Sequence, residues 1–133
     1  IRDRYIVSPV KLDQQSTIGV PTAIEVMNEV NADVEMVRQA VGNLEEHPPT
    51  AFAGAIGMMA REWGEILKQT ERTQYRRLQL SGGIFENYVT EGDGLRLAAE
   101  ARNDVYQIGG ANAEKQAEQF RAVTNEFLQK CPQ

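Results

Sequence analysis

The chain has 133 residues, 41% of them hydrophobic and 25% charged, a composition that supports a buried core and excludes an intrinsically disordered chain. Fourteen Lys and Arg against 19 Asp and Glu leave a net charge of −5, which argues against nucleic acid as a partner because binding a polyanion depends on cations that displace its counterions. No apolar run approaches the ~18 residues of a transmembrane segment, and one cysteine, Cys131, rules out an internal disulfide.

Residues 1–20 carry no helical rhythm and are interrupted by Pro9 and Gly19. They read as an extended strap laid across a helical surface through Tyr5, Ile6, Val7, Val10, Leu12 and Ile18, with a short strand at Tyr5-Ile6-Val7 as the alternative. The chain opens on Ile1 rather than Met, so the compartment stays open, an exported or periplasmic form included. A helix is predicted from Thr22 to Glu45. Thr22 and Glu25 form a capping box, and Met27, Val30, Val34, Val37, Val41 and Leu44 advance in steps of three and four.

After His47-Pro48-Pro49 the rhythm restarts at Phe52, Ile56, Met59, Trp63 and Ile66. The pattern predicts a helical hairpin whose second helix opens at Pro49 and runs to Leu80, with Val37 and Trp63 in the shared core. Gly54, Gly57 and Gly64 would each cost ~1 kcal/mol inside that helix. The small residues Ala53, Gly57, Ala60 and Gly64 therefore read as a seam against which another backbone, within the bundle or from a partner, packs closely. Arg72, Arg76 and Arg77 read as a solvated face, with contact to an acidic partner as the alternative.

Ser81-Gly82-Gly83 ends the second helix, and Ile84 to Thr90 is predicted as one or two helical turns. Glu91-Gly92-Asp93-Gly94 breaks the chain again before a third helix from Leu95 to Ile108. The last helix starts near Asn112 and presents Ala113, Ala117, Phe120, Thr124, Phe127 and Cys131 on one side. The expected architecture is an all-α, single-domain bundle of about four main helices over residues 21–133, with the extended strap at 1–20.

Chemistry is sparse. The lone histidine, His47, cannot supply Glu-x-x-His pairs for a di-metal bundle, no Cys/His cluster suits zinc, and neither Gly82-Gly83 nor Gly109-Gly110 builds a phosphate loop. The acidic pairs Glu45-Glu46, Glu91/Asp93 and Glu100/Asp104 have spacings common on solvated surfaces. No catalytic, metal or cofactor set is assigned.

The expected role is a noncatalytic interaction or assembly module, in the form of an accessory component of a bacterial envelope or larger assembly, with a protein partner or a second copy. A ligand-binding or sensory helical bundle is the alternative, marked by a pocket of a few hundred Å³ with convergent polar groups, and an enzyme comes third. Candidate partner-binding residues are Phe85, Tyr88, Glu91 and Asp93, from a segment too short to be a stable helix alone, with Gly57 and Gly64 of the seam. Phe85 and Tyr88 either plug the bundle or anchor a partner.

Overall fold

Strand β1 (Tyr5–Lys11), helix α1 (Gln14–Val41) and strand β2 (Ala51–Met58) form a βαβ unit in a computed structural model that describes residues 4–42, 49–64 and 66–132. The two strands are parallel, in register from Tyr5 opposite Ala51 to Lys11 opposite Met58. This pairing overturns the all-α expectation: the fold is mixed α/β. The strap at 1–20 is replaced by β1 and the first two turns of α1. Asp13 caps that helix, its Oδ1 accepting the Ser16 N–H at 2.6 Å, so α1 starts at Gln14 instead of Thr22. Pro21 lies inside α1 and removes one i→i−4 hydrogen bond. The helix ends at Gly42, whose left-handed φ of 73° turns the chain out and lets its N–H reach the Arg38 carbonyl. The predicted continuation to Glu45 and the His47-Pro48 corner lie outside the described residues.

The predicted second helix is instead β2, a hairpin of β3 (Glu62–Trp63) and β4 (Ile66–Leu67), and helix α2 (Gln69–Leu80). Ala51–Met58 is apolar at every position because both of its faces are covered, and such a run satisfies a helical template as well as a strand. Its glycines are there for the sheet. Gly54 has φ 144°, and a Cβ on it would lie 2.8 Å from the Phe85 ring; a Cβ on Gly57 would lie 3.1 Å from Tyr88 Cβ and 3.3 Å from a Leu12 methyl. The register skips Ala53 between Phe52 and Gly54, a bulge that switches which side chains face which layer.

Residues 83–91 run parallel beside β2 rather than as helical turns, through Ala55 N–H to Gly83 O (2.6 Å), Phe85 N–H to Ala55 O (2.8 Å) and Val89 N–H to Gly57 O (2.8 Å). Helix α3 (Gly94–Glu100) is shorter than the predicted 95–108, the remainder forming turns, and α4 (Ala111–Lys130) occupies the place of the predicted last helix.

The sheet is covered on both faces. On one, Val20 and Ile24 of α1 and Leu78 and Tyr75 of α2 pack with Val10, Leu12, Phe52, Ala55 and Ile84. On the other, Phe120, Val123 and Phe127 of α4 pack with Ala53, Ile56, Met58, Phe85 and Val89. This is the layering of a doubly wound α/β sheet. Val37 and Trp63, expected in the core, are 54% and 83% exposed. The 28-residue α1 is about 42 Å long, whereas β1 spans about 23 Å, so the helix overhangs the sheet and, among the described residues, its later valines are left exposed. Among the described residues, no helix is long and apolar enough to cross a membrane.

Candidate ligand groove at the strand carboxyl ends

Parallel strands deliver their carboxyl ends to one edge of the sheet, the place where α/β folds bind ligands. Here β1 ends in Lys11, Leu12 and Asp13, β2 ends in Met59, Ala60 and Arg61, and the 83–91 segment ends in Thr90 and Glu91. A groove of about 500 Å³ crosses this edge, walled by Lys11, Leu12, Asp13, Gln14, Met59, Arg61 and Glu91 with Thr70, Glu71 and Gln74 of α2. A second depression of about 270 Å³ adjoins it, lined by Arg61, Glu62, Gly64, Lys68, Thr90, Glu91 and Lys115.

Its polar walls are tied together. The buried Glu71 carboxylate accepts from Arg61 Nε (2.5 Å) and from Thr70 Oγ1 (2.6 Å). Burial alone would raise the Glu71 pKa, but these hydrogen bonds prevail and hold it below the ordinary carboxylate value. Gln74 Oε1 accepts the Thr17 hydroxyl at 3.1 Å, joining α2 to α1. In the adjoining depression Glu62 accepts the Tyr88 hydroxyl at 2.8 Å and pairs with Lys115 at 3.3 Å. Burial, then the bond to Glu62, pushes the Tyr88 phenol up to about 12. Met59 stands exposed beside the groove with a left-handed φ of 54°, marking the sharp exit from β2.

The groove has cations, carboxylates and hydrogen-bonding groups in its walls. Among the described residues no group of three or more His, Cys, Asp or Glu could hold a metal.

Polar side chains from α4 hold the third segment in place. Glu126 accepts the Glu86 and Asn87 N–H groups at 2.8 and 2.9 Å and Asn87 Nδ2 at 2.8 Å. Gln119 Oε1 accepts the Thr90 N–H at 2.9 Å, while Gln116 donates to the Thr90 carbonyl and accepts the Leu95 N–H. These residues were not singled out by sequence pattern. The available signal was a pair of polar residues, Gln116 and Glu126, on the otherwise apolar side of α4.

The structure disperses the six candidate residues. Glu91 lines both parts of the groove and Gly64 the smaller part, and Tyr88 reaches it through Glu62. Phe85 is fully buried on the α4 side, Gly57 is buried under Leu12 and Tyr88, and Asp93 sits exposed at the start of α3, 3.6 Å from Arg96. Gly57 and Gly64 lie on a strand and in a hairpin turn, so they do not share a helical seam.

A separate apolar groove of about 490 Å³ runs between α1 and β1, lined by Ile6, Gly19, Ala23, Val26, Met27 and Val30 among others. Ile6 and Val7 are exposed on β1, which pairs only with β2 among the described strands. Asn31 fixes this part of α1 to the entry of β2, exchanging two hydrogen bonds with the Thr50 backbone at 2.8 and 3.0 Å.

No protein-family model and no curated protein matches the chain. Among solved structures it is similar to an aspartate-to-alanine variant of Cyanothece McdA in complex with ATP, with a TM-score of 0.63 and 10% identity. The likeness covers 92% of this chain and 42% of the McdA chain, so this chain spans less than half of that neighbour's length. At this identity it shows the fold alone, and it supports the α/β class in place of the helical bundle.

Proposed function

We propose that the chain is a ligand-binding α/β module whose ligand is an adenine nucleotide, held across the strand carboxyl ends, and that it performs no catalysis by itself. The observation that carries this reading is the 500 Å³ groove at that edge, with Lys11 and Arg61 in its wall. The structural neighbour was solved with ATP, which supplies the ligand class. The sequence contains no G-x-x-x-x-G-K-[ST] phosphate loop, and the reading assigns the chain binding alone. The test is calorimetric titration with ATP of the wild-type chain and of Lys11→Glu, an exposed substitution in the groove wall. Binding to the wild type, weakened in the variant at unchanged melting temperature, supports the reading; absence of ATP binding to the wild type refutes it.

The interaction role expected from sequence is favoured by a different observation. Val26, Val30 and Val34 form an exposed stripe beside the open edge of β1, and Glu25, Glu29 and Asp33 form an acidic row one position round the helix. The surface matches a polypeptide with apolar side chains flanked by Lys or Arg, and the shared acidic row opposes pairing of two copies through it.

A further inference from the structure

Helices α1 and α2 pack on the same face of the sheet and divide their charges by sign. Helix α1 carries Glu25, Glu29, Asp33 and Glu35 against a single cation, Arg38, which Glu35 holds at 2.6 Å. Helix α2 opens at Lys68 and carries Arg72, Arg76 and Arg77, while its one acid, Glu71, is buried against Arg61. Among the described residues Glu25, Glu29 and Asp33 form no ion pair, and neither do Lys68, Arg72 and Arg76; all six are exposed.

Each set is a row along its helix. A step of four residues advances about 6 Å and keeps side chains on nearly one side. Glu25, Glu29, Asp33 and Val37 therefore follow one another on α1, and Lys68, Arg72, Arg76 and Leu80 on α2. Both rows run from charged side chains to an exposed aliphatic one, Val37 at 54% and Leu80 at 91%. Their signs are opposite and their spacing is the same. Laid side by side with the helices running in one direction, the rows pair Glu25 with Lys68, Glu29 with Arg72, Asp33 with Arg76 and Val37 with Leu80. The reversed direction also joins the charges but sets Leu80 against Pro21. Val26, Val30 and Val34, one position round from the acidic row, then receive the aliphatic stems of the arginines while the guanidinium groups reach the carboxylates.

Two copies joined through α1 alone would oppose acid to acid. We infer that the occupant of the α1 face is the α2 row of a second copy of this chain, in a head-to-tail contact. The inference rests on the reading of α1 as a polypeptide-binding face and names the polypeptide. The acidic partner that the sequence allows for Arg72 and Arg76 is then α1 of the next copy. Such a contact is heterologous: each added copy still offers one free row, so association continues into a ring or a filament. The paired charges sit at exposed positions, which makes the contact sensitive to salt.

Sedimentation velocity of the whole chain at rising concentration tests this. The wild type is expected to grow beyond a monomer at low salt and to lose association in ~1 M sodium chloride, where the screening length is about 3 Å. Glu29→Lys and Arg72→Glu should each weaken association roughly 2- to 30-fold, the range for one exposed pair lost and one like-charge contact of similar size gained. Glu29→Lys/Arg72→Glu in one chain should recover it, because the pair is restored with its signs exchanged. Both positions are exposed, so the variants should fold, which circular dichroism checks. A wild type that stays monomeric at every concentration and salt overturns the inference, as does a double variant that associates no better than the single ones. An amphipathic Leu-Lys repeat peptide separates that failure from failure of the underlying reading. Binding of the peptide to monomeric wild type, weakened in Glu29→Lys, leaves α1 as a polypeptide-binding face, and no binding overturns that reading as well.

Discussion

Gly54→Ala distinguishes the α/β sheet from a helical hairpin by the sign of its effect. In an exposed helix interior the change would stabilise the chain by ~1 kcal/mol, since alanine is the better helix former. In the sheet the new methyl meets Phe85 Cδ1 at 2.8 Å and Cε1 at 2.9 Å, and the backbone holds φ at 144°. Phe85 has no exposed surface and is packed between β2 and α4, so its ring has nowhere to retreat. Overpacking of this kind costs ~1–3 kcal/mol, and a non-glycine residue at such a φ costs a further ~1–3 kcal/mol. A combined loss of roughly 2–6 kcal/mol, divided by an unfolding entropy of about 0.28 kcal/mol/K for a chain of this length, lowers the melting temperature by roughly 7–21 °C. Thermal and urea denaturation followed by circular dichroism measure it. The clash component should shrink in a Phe85→Leu background, giving a coupling energy between the two sites. A stabilised Gly54→Ala variant, or strictly additive losses in the double mutant, would refute the close approach of β2 to residues 83–91.

Glu126→Gln should cost ~1–3 kcal/mol at neutral pH, because an amide cannot accept from the Glu86 N–H, Asn87 N–H and Asn87 Nδ2 groups as the carboxylate does. Burial would raise the Glu126 pKa, but the bonds from Asn87 and Glu86, with Lys130, lower it below the ordinary value. Its charge therefore contributes stability above the unfolded-state pKa that is lost as pH falls through the folded pKa, and wild type and variant should converge in acid. The Tyr88 phenol has a folded pKa raised to about 12, so its contribution is complete below the unfolded value near ~10 and disappears as pH rises through the folded one. Spectrophotometric titration should show a late-ionising phenol that is lost in Tyr88→Phe, while the Tyr75 phenol, itself raised by burial, remains; the same high-pH titration in wild type and Tyr88→Phe, apart from a phenol of ordinary pKa, would contradict the buried bond to Glu62. Val30→Lys should leave stability within ~0.5 kcal/mol while reducing binding of an apolar dye, because Val30 is exposed in the α1–β1 groove. A loss of several kcal/mol would place Val30 in a core.

Amphipathic α4 was legible because its apolar positions recur at a helical period against a solvated opposite side. The same criterion misread β2. In Phe52-Ala-Gly-Ala-Ile-Gly-Met, apolar residues fill both faces of a strand covered by helices on each side, and such a run also fits a helical template. Its two glycines carried the missing information. Their helix penalty counts against a helix here rather than for a compensating seam, because Gly54 and Gly57 are needed where Phe85, Leu12 and Tyr88 approach the strand. The valine stripe of α1 gave the helix correctly and its burial incorrectly: period identifies a shared face, whereas burial needs an element to cover it. The groove was illegible because its walls come from residues 11–14, from Met59 and Arg61, from Thr70, Glu71 and Gln74, and from Glu91, which only parallel pairing brings together.

The two sides of this small sheet are finished in different ways, and the difference explains where polar and apolar residues fall. Beside the 83–91 segment, α4 supplies Gln116, Gln119 and Glu126, whose side chains take the backbone hydrogen bonds that a neighbouring strand would otherwise make. Polar residues on the inner side of that helix are thus part of closing the sheet rather than a defect in its amphipathic pattern. At β1 no described side chain plays that part: Ile6 and Val7 are exposed, and the helix above continues past the strand with valines rather than amides. Pro9 blunts this edge at one position by removing a donor, but it does not make the edge polar. An apolar edge and an apolar helix flank on the same side favour a cover that is itself apolar, whereas the groove at the strand ends, with Arg61, Glu71 and Thr70 already bonded to one another, favours a charged and orientable ligand. On the two readings proposed above, assembly and ligand binding would use separate surfaces: one set by the long side of α1 and the other by the carboxyl ends of the strands.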